Sequence, residues 1–286
     1  MPVADLRPMT LGEVLDRTFR LYKTHFWLFA GIMSFPFLAL FVFNVGISWF
    51  TTTQTAALRA GQIQSPGTLI AAGAGGALLV MILTFVLTGI GEAATIFAVS
   101  DIYLGRPVSI RGSFSQVRGH VLQVLGTIFL SALAMGAGFI LFIIPGIILM
   151  CRLAVAVPAA MLEDIWPGTA LSRSMDLTKS FAMQMFLIFL LTFVLVAAVT
   201  SLFTIPFVVM AAMRAPQGLP FGLVVLQDAA SFLGQVIAAP VQTIAFSLMY
   251  YNLRVRKEGF DIEHLMGSLN TPSTSVMPAS GSALPS

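Results

Sequence analysis

The chain has 286 residues, of which 57% are hydrophobic and only 9% are charged. A water-soluble domain of this length carries about 25% charged residues, so the composition excludes an ordinary soluble globular protein. The formal net charge is +3, and its basic residues are placed as in a membrane protein, which argues against a nucleic-acid-binding surface.

The apolar residues fall in six blocks, most of them about 20 to 30 residues long. A helix needs ~20 apolar residues to cross a bilayer, and helices pair all of their own backbone groups in lipid. We therefore expect an all-α, polytopic membrane bundle with six transmembrane helices. The predicted spans are Phe26–Phe50, Leu69–Ser100, Val121–Ile144, Ile147–Leu162, Phe181–Ile205 and Phe221–Tyr250.

A short amphipathic segment precedes the first span. Thr10 and Glu13 have the spacing of a capping box, and apolar residues between Leu11 and Tyr22 share one face. The pattern predicts a helix that lies in the membrane interface with its basic residues toward anionic headgroups. The first block has no cleavage pattern after it, so we expect an uncleaved first span and not a signal peptide.

The chain has the pattern of three similar units, each a short amphipathic helix followed by a helical hairpin. Their predicted bounds are residues 7–105, 106–165 and 166–266. Pro107 and Pro145 lie 38 residues apart, and Pro167 and Pro206 lie 39 apart, which favours a repeat of the second and third units. The alternative is that helix, loop and span simply follow one another in this way in many membrane proteins.

Two connections have distinctive compositions. Only Pro145-Gly146 separates the third and fourth spans, which predicts a tight helical hairpin. After the six-span domain, residues 1–266, the segment Gly267–Ser286 is uncharged and rich in Ser, Pro and Gly, and we expect a disordered tail.

Lysine and arginine are distributed unevenly between the two sides of the predicted bundle. If the N-terminus is cytoplasmic, twelve of them fall on the cytoplasmic side and only Arg59 and Arg214 on the other. The positive-inside rule then predicts that both termini face the cytoplasm.

Ionisable residues inside the spans cost roughly 2.5–3.5 kcal/mol each at a helix centre and need a partner or a purpose. Glu92 and Arg152 lie at similar depths in the second and fourth spans, so we hypothesise an ion pair between them. The pair would either lock the bundle or bind a polar headgroup or a proton. The single cysteine, Cys151, is interpreted as an inert packed thiol.

Polar residues of the sixth span share one helix face. Asp228, Ser231, Gln235 and Gln242 have spacings of 3, 4 and 7, and Pro240 is expected to kink the helix. The stripe indicates either a hydrogen-bonded packing seam or a solute path.

No catalytic or metal-binding motif is present. His25, His120 and His264 are scattered, and the sequence has no nucleophile elbow, P-loop or dinucleotide loop. We therefore expect no enzymatic activity, no cofactor and no metal.

Three segments resemble the membrane domain associated with glycerophosphoryl diester phosphodiesterases and its stand-alone bacterial relatives. They are the opening Leu11–Tyr22, the stretch Pro158–Glu163 with Ala170–Ser174, and Tyr250–Glu263. The resemblance covers residues 7–264 and implies a multi-pass protein of the bacterial cytoplasmic (inner) membrane. We expect no counterpart of the catalytic barrel of the fused members, so the resemblance implies no diesterase activity.

The sequence favours a non-catalytic membrane module that interacts with the lipid bilayer and with membrane or cytoplasmic proteins. The alternative is a small-molecule or lipid transporter that uses the intramembrane polar residues. The sequence fixes no oligomeric state. The candidate headgroup contacts are Arg17, Arg20, Lys23, Arg111, Arg118, Arg254 and Arg256.

Overall fold

A computed structural model describes residues 8–59, 66–214 and 220–259. These residues form helices, turns and loops without any strand. The helices are α1 Leu11–Thr24, α2 Phe26–Arg59, α3 Pro66–Tyr103, α4 Ile110–Val117, α5 Val121–Leu141, α6 Ile143–Leu153, α7 Ala156–Leu162, α8 Pro167–Thr178, α9 Ala182–Arg214 and α10 Phe221–Glu258.

Six helical stretches of the described chain are long and apolar enough to cross a membrane: α2, α3, α5, α6 with α7, α9 and α10. The prediction of an all-α, polytopic bundle is confirmed. The long helices contain 33 to 38 residues, or about 50–57 Å. Because the hydrocarbon core is only ~30 Å thick, these helices project beyond it.

Two exposed tryptophans bracket the membrane-spanning part of α2. Trp27 is 83% exposed and Trp49 is 58% exposed, and the 22 positions between them correspond to about 33 Å of helix. The Trp49 ring packs on Phe221 at the start of α10, with the ring centroids 5.0 Å apart. Tryptophan is enriched at membrane interfaces, so the two residues mark the two faces of the bilayer.

The short helices gather at the Trp27 end of the bundle, which we call the basic end. There α1, α8 and the end of α7 pack around about the C-terminal half of α10, while α4 packs on α3. Each residue of α10 from Ile244 to Leu253 is at most 8% exposed. This half of α10 is therefore the core of a protein-packed assembly at one end of the membrane.

Helix α1 packs along α10, which corrects the expectation that its apolar face rests on the bilayer. Met9 bonds to Asn252, while the Tyr22 hydroxyl donates to the Ile237 carbonyl at 2.7 Å. Those two α10 residues are 15 positions apart, about 22 Å, which matches the length of α1. Val14 is fully buried. The sequence pattern could not distinguish a lipid surface from the apolar flank of a projecting helix.

The turn between α5 and α6 lies at Phe142, not at the predicted Pro145-Gly146. Phe142 is extended, with φ −165° and ψ 157°, and α6 begins at the next residue. Pro145 is thus in the first turn of a helix, where its missing N–H removes no helical bond. Gly146 follows inside α6 and lets it approach α5 closely, since a Cβ there would lie 2.5 Å from the Phe139 ring.

Other predicted boundaries shift by up to nine residues, about two and a half turns. Helix α2 continues to Arg59, so the polar threonines after the predicted span end, Phe50, extend the helix. Pro240 lies within α10, which continues to Glu258. The order of a short helix followed by a hairpin occurs three times along the chain, while the common origin of the three units stays a prediction. The predicted tail, residues 267–286, lies outside the described residues.

Candidate functional site

The last turns of α10 connect several elements of the basic end. A helix turns about 100° per residue, so consecutive side chains of the buried segment Tyr250–Arg256 point at different neighbours. Because these neighbours come from distant parts of the chain, the segment determines how the basic end is assembled.

Tyr250 bonds to an ion cluster that joins α7, α8 and α10. Its hydroxyl donates to Glu163 at 2.8 Å, and the Arg173 Nε donates to the same carboxylate at 2.9 Å. Arg173 also pairs with Glu258 at 2.5 Å, and Glu258 pairs with Arg254 at 3.1 Å. Burial alone would lower the pKa of Arg173, but its hydrogen bonds to Glu163 and Glu258 raise it above the ordinary value. Both carboxylates of the cluster therefore have cationic partners.

Tyr251 joins α10 to the end of α3 and to α1. Its hydroxyl donates to the Ser100 hydroxyl at 2.8 Å, and its ring stacks on Tyr103 with centroids 4.6 Å apart. The guanidinium of Arg17, from α1, lies 4.8 Å from the centre of the Tyr103 ring. Arg17 is therefore part of the protein's internal packing.

Asn252 holds the chain segment before α1. Its Oδ1 accepts from the Met9 N–H at 2.8 Å, and its Nδ2 donates to the Met9 carbonyl at 3.1 Å. Arg256 donates to the same carbonyl at 2.6 Å, and its guanidinium lies 5.5 Å from the centre of the Phe181 ring. Since Asn252 is 1% exposed, these bonds are shielded from water and fix the two chain segments together.

Arg152 is positioned by its backbone. Its carbonyl, near the end of α6, accepts from Ser174 at 2.7 Å and from Thr178 at 3.1 Å. The last carbonyls of a helix lack intrahelical donors, and the two α8 hydroxyls supply them here. The Nε of Arg152 is buried and has no acceptor among the described residues.

The hypothesised Glu92–Arg152 ion pair is wrong, since no ion pair joins these two residues in the described structure. Helix α3, which carries Glu92, packs on α5 and α7, while α6 packs on α5, α8 and α9. Similar depth in two spans does not make two helices neighbours. Glu92 is half-buried, and no described residue donates a hydrogen bond to it.

The polar stripe of α10 is not a hydrogen-bonded seam within the described residues. Ser231 donates to the Gln227 carbonyl of its own helix at 3.0 Å, and Gln235 and Gln242 are half-buried. The Oδ2 atom of Asp228 is buried and has no described hydrogen-bond partner. The structure thus places these residues along α10 without bringing them to Glu92 or Arg152 through any described bond.

The candidate headgroup contacts divide into two groups. Four have partners within the protein: Arg17, Arg20, Arg254 and Arg256. Three are exposed and pair with no described residue: Lys23, Arg111 and Arg118. The second group is free to bind an external anion.

Helix α4 presents two of the free arginines. Ser109 caps it by accepting from the Gly112 N–H at 3.1 Å, and Ser113 and Val117 are each 1% exposed. Gln116 donates to Asp101 of α3 at 2.9 Å. With its inner face held in this way, α4 keeps Arg111 and Arg118 exposed on the surface of the basic end.

Sequence reasoning missed the residues that build the basic end, chiefly Glu163, Arg173, Tyr250 and Asn252. A signal for them was present, because the segments that carry the family resemblance include all four. The fold brings those segments into one assembly, which no spacing along the chain could show.

Searches against protein-family models, curated proteins and solved structures find no match to this chain. The resemblance to the diesterase-associated membrane domain therefore stays a prediction. The site is accordingly interpreted from its geometry.

Proposed function

We propose that the chain is a non-catalytic, multi-pass membrane module that binds anionic lipid headgroups at its basic end. The observation that carries the proposal is the set of exposed cations without a described partner, which includes Lys23, Arg111 and Arg118. They lie at the Trp27 end of the bundle, where a membrane interface is expected. Each basic residue near an anionic surface contributes about 1 kcal/mol to binding.

The pairing of the partly buried charges supports a non-catalytic role. Glu163, Arg173, Arg254 and Glu258 pair with one another and hold α7, α8 and α10 together. Groups with this many fixed partners serve to assemble the protein. The same interpretation leaves the exposed cations as the groups that contact the surroundings.

Charge also supports an orientation. Apart from Arg152 within a span and Arg59 and Arg214 at the far ends of α2 and α9, the lysines and arginines of the described ranges belong to the basic end. Met9 and Asn252 bring the first and last described segments together there. By the positive-inside rule this end faces the cytoplasm, with both termini on that side. The family resemblance adds the expectation of a bacterial cytoplasmic membrane.

Lipid selectivity of the whole chain tests the proposal. The purified protein would be placed in nanodiscs of equimolar phosphatidylglycerol and phosphatidylethanolamine, and the lipids it retains in mild detergent would be measured by native mass spectrometry. We expect enrichment of phosphatidylglycerol that falls with rising salt. Equal retention of the two lipids at low salt would contradict the proposal.

Transport of a small molecule or lipid is the second candidate function, and the buried Oδ2 of Asp228 favours it. An intramembrane carboxylate with no described hydrogen-bond partner suits a polar path. The test uses Asp228→Cys in a Cys151→Ser background with a membrane-impermeant thiol reagent. Rapid labelling at position 228 would favour transport, whereas protection would favour the lipid-binding module.

A further inference from the structure

A histidine and an aspartate join two corners of the chain at the basic end. His120 lies between α4 and α5, and Asp164 lies between α7 and α8. The His120 Nε2 atom lies 3.3 Å from the Asp164 Oδ1 atom, and Gln123 of α5 donates to the same oxygen at 2.8 Å. The Asp164 carboxylate is therefore held beside the corner at which α4 ends and α5 begins.

The other nitrogen of the His120 ring decides which charge state suits this contact. The Nδ1 atom lies 2.9 Å from the Gln116 carbonyl oxygen, and because a carbonyl only accepts, Nδ1 carries a hydrogen. A neutral imidazole has one N–H, so its Nε2 would be a bare acceptor facing a carboxylate oxygen. The imidazolium ion has a hydrogen on both nitrogens. The contact with Asp164 is therefore attractive only when His120 is protonated.

The other elements around the imidazole bring no competing acid to it. Helix α3 faces the ring with Phe97, whose centroid lies 5.6 Å from that of the imidazole. Asp101, also on α3, accepts from an amide of α4 and pairs with Arg106 at 3.9 Å. Arg118, two positions before the histidine, is exposed and has no described partner. Asp164 is thus the acid that pairs with the imidazole, and its charge lies at the corner that presents Arg118.

We propose that His120 and Asp164 form a pH-sensitive latch that regulates lipid binding at the basic end. When His120 is protonated, it holds Asp164 and compensates its negative charge. As the pH rises, the Nε2 proton passes to water, the contact becomes repulsive, and the uncompensated carboxylate repels anionic headgroups. Imidazole groups exchange this proton between pH 5 and 8, so lipid retention rises as the pH falls through that range. The inference rests on the proposed function, to which it adds regulation.

The regulatory half is tested in the same nanodiscs at about pH 5.5 and about pH 8, with the salt concentration held constant. We expect the unsubstituted chain to retain about threefold more phosphatidylglycerol, relative to phosphatidylethanolamine, at the lower pH, because one charge near the headgroups changes. His120→Gln should abolish the difference between the two pH values. The matched control is His25→Gln, since His25 lies between α1 and α2 and has no ion pair among the described residues. This control should keep the threefold difference.

The latch itself is tested without lipid, by the thermal midpoint of Asp164→Asn in mild detergent. Asparagine keeps an acceptor for Gln123 and tolerates the positive φ of 51° at this position, so the change removes little except the charge. We expect the midpoint to fall by about 1–2 °C at pH 5.5 and by less at pH 8. Asp16→Asn is the control, because its partner Arg20 stays charged at both pH values. The effect of the control should be the same at both.

The outcomes separate the latch from the function it regulates. A pH-dependent effect of Asp164→Asn, together with lipid retention whose pH dependence disappears in His120→Gln, supports the proposal. An effect of Asp164→Asn that is equal at both pH values overturns the latch, and so does pH-dependent retention that survives in His120→Gln. The proposed function stands in either case if the unsubstituted chain still prefers phosphatidylglycerol. Absence of that preference at both pH values overturns the proposed function and the regulation with it.

Discussion

The two halves of α10 differ in what surrounds them. Toward its end, residues 244–253 are each at most 8% exposed, whereas in the half near Phe221, Leu226 is 51% exposed and Leu233 is 48% exposed. Helices α1, α3, α7 and α8 enclose the C-terminal half of α10. The half near Phe221 contacts mainly α2 and α9. In the half near Phe221, lipid must cover the apolar side chains that the protein leaves exposed.

The difference shows which interactions define the fold at each end. At the basic end, tyrosine, asparagine and arginine side chains bond across elements, as in the core of a water-soluble protein. In the lipid-facing half, helices approach at small residues such as Gly234, where a Cβ would lie 3.2 Å from the Thr200 Cα. We therefore expect substitutions to be most costly at the basic end.

The largest effect is expected for Asn252→Leu. The change leaves the buried N–H and C=O of Met9 without their amide partners, which should lower the free energy of unfolding by about 3 kcal/mol. Denaturant titration of the purified protein in mild detergent measures it. Asn44→Leu is the control, because that amide bonds only the Leu40 carbonyl of its own helix. Equal losses of unfolding free energy in the two variants would contradict the difference between the basic end and the lipid-facing part.

The next largest effect is expected from a double-mutant cycle on Glu163→Gln and Arg173→Met, which measures the coupling energy of the ion pair. Both side chains are partly shielded, at 18% and 28% exposure, so we expect a coupling energy of about 1–2 kcal/mol after allowing for solvent screening. The exposed pair Asp16–Arg20 provides the comparison and should couple by less than about 0.5 kcal/mol. A coupling near zero for Glu163 and Arg173 would show that the ion cluster does not stabilise the basic end.

Gly138→Ala probes close packing in the hairpin of α5 and α6. The new Cβ would lie 2.8 Å from Leu149 Cδ1 and 3.1 Å from the Gly146 backbone, and we expect a loss of about 1–2 kcal/mol. Gly136→Ala, with open space around its Cβ, should be neutral or slightly stabilising. The thermal unfolding midpoints of the two variants measure these changes. A midpoint for Gly136→Ala below that of Gly138→Ala would contradict the packing argument.

The smallest effect concerns Tyr22, whose burial raises its pKa from 10.0 to about 12. Since the folded state holds this proton more tightly than the unfolded state, its contribution is complete below pH 10 and is lost as the pH rises toward 12. Tyr22→Phe should cost about 1 kcal/mol at neutral pH, where the bond to Ile237 is lost. It should also reduce the fall in stability between pH 10 and 12. An unchanged pH profile would contradict the burial of this hydroxyl.

The sequence predicted the spans well and their mutual packing poorly. The apolar composition of a run such as Phe26–Phe50 is enough to indicate that lipid surrounds it. The Thr10–Glu13 capping box also formed as expected, with Glu13 accepting from the Thr10 N–H at 2.7 Å. The Glu92–Arg152 pair failed because depth along a helix says nothing about which helices are adjacent. The ion cluster escaped prediction because Glu163 and Tyr250 are 87 residues apart and meet only after folding.

Asn252 has a consequence for biosynthesis. Its partner, Met9, leaves the ribosome 243 residues earlier and has to wait for nearly the whole chain to be translated. Until α10 has been inserted, α1 lacks the main surface on which it packs. The order of synthesis thus makes the last helix the one that completes the environment of the first.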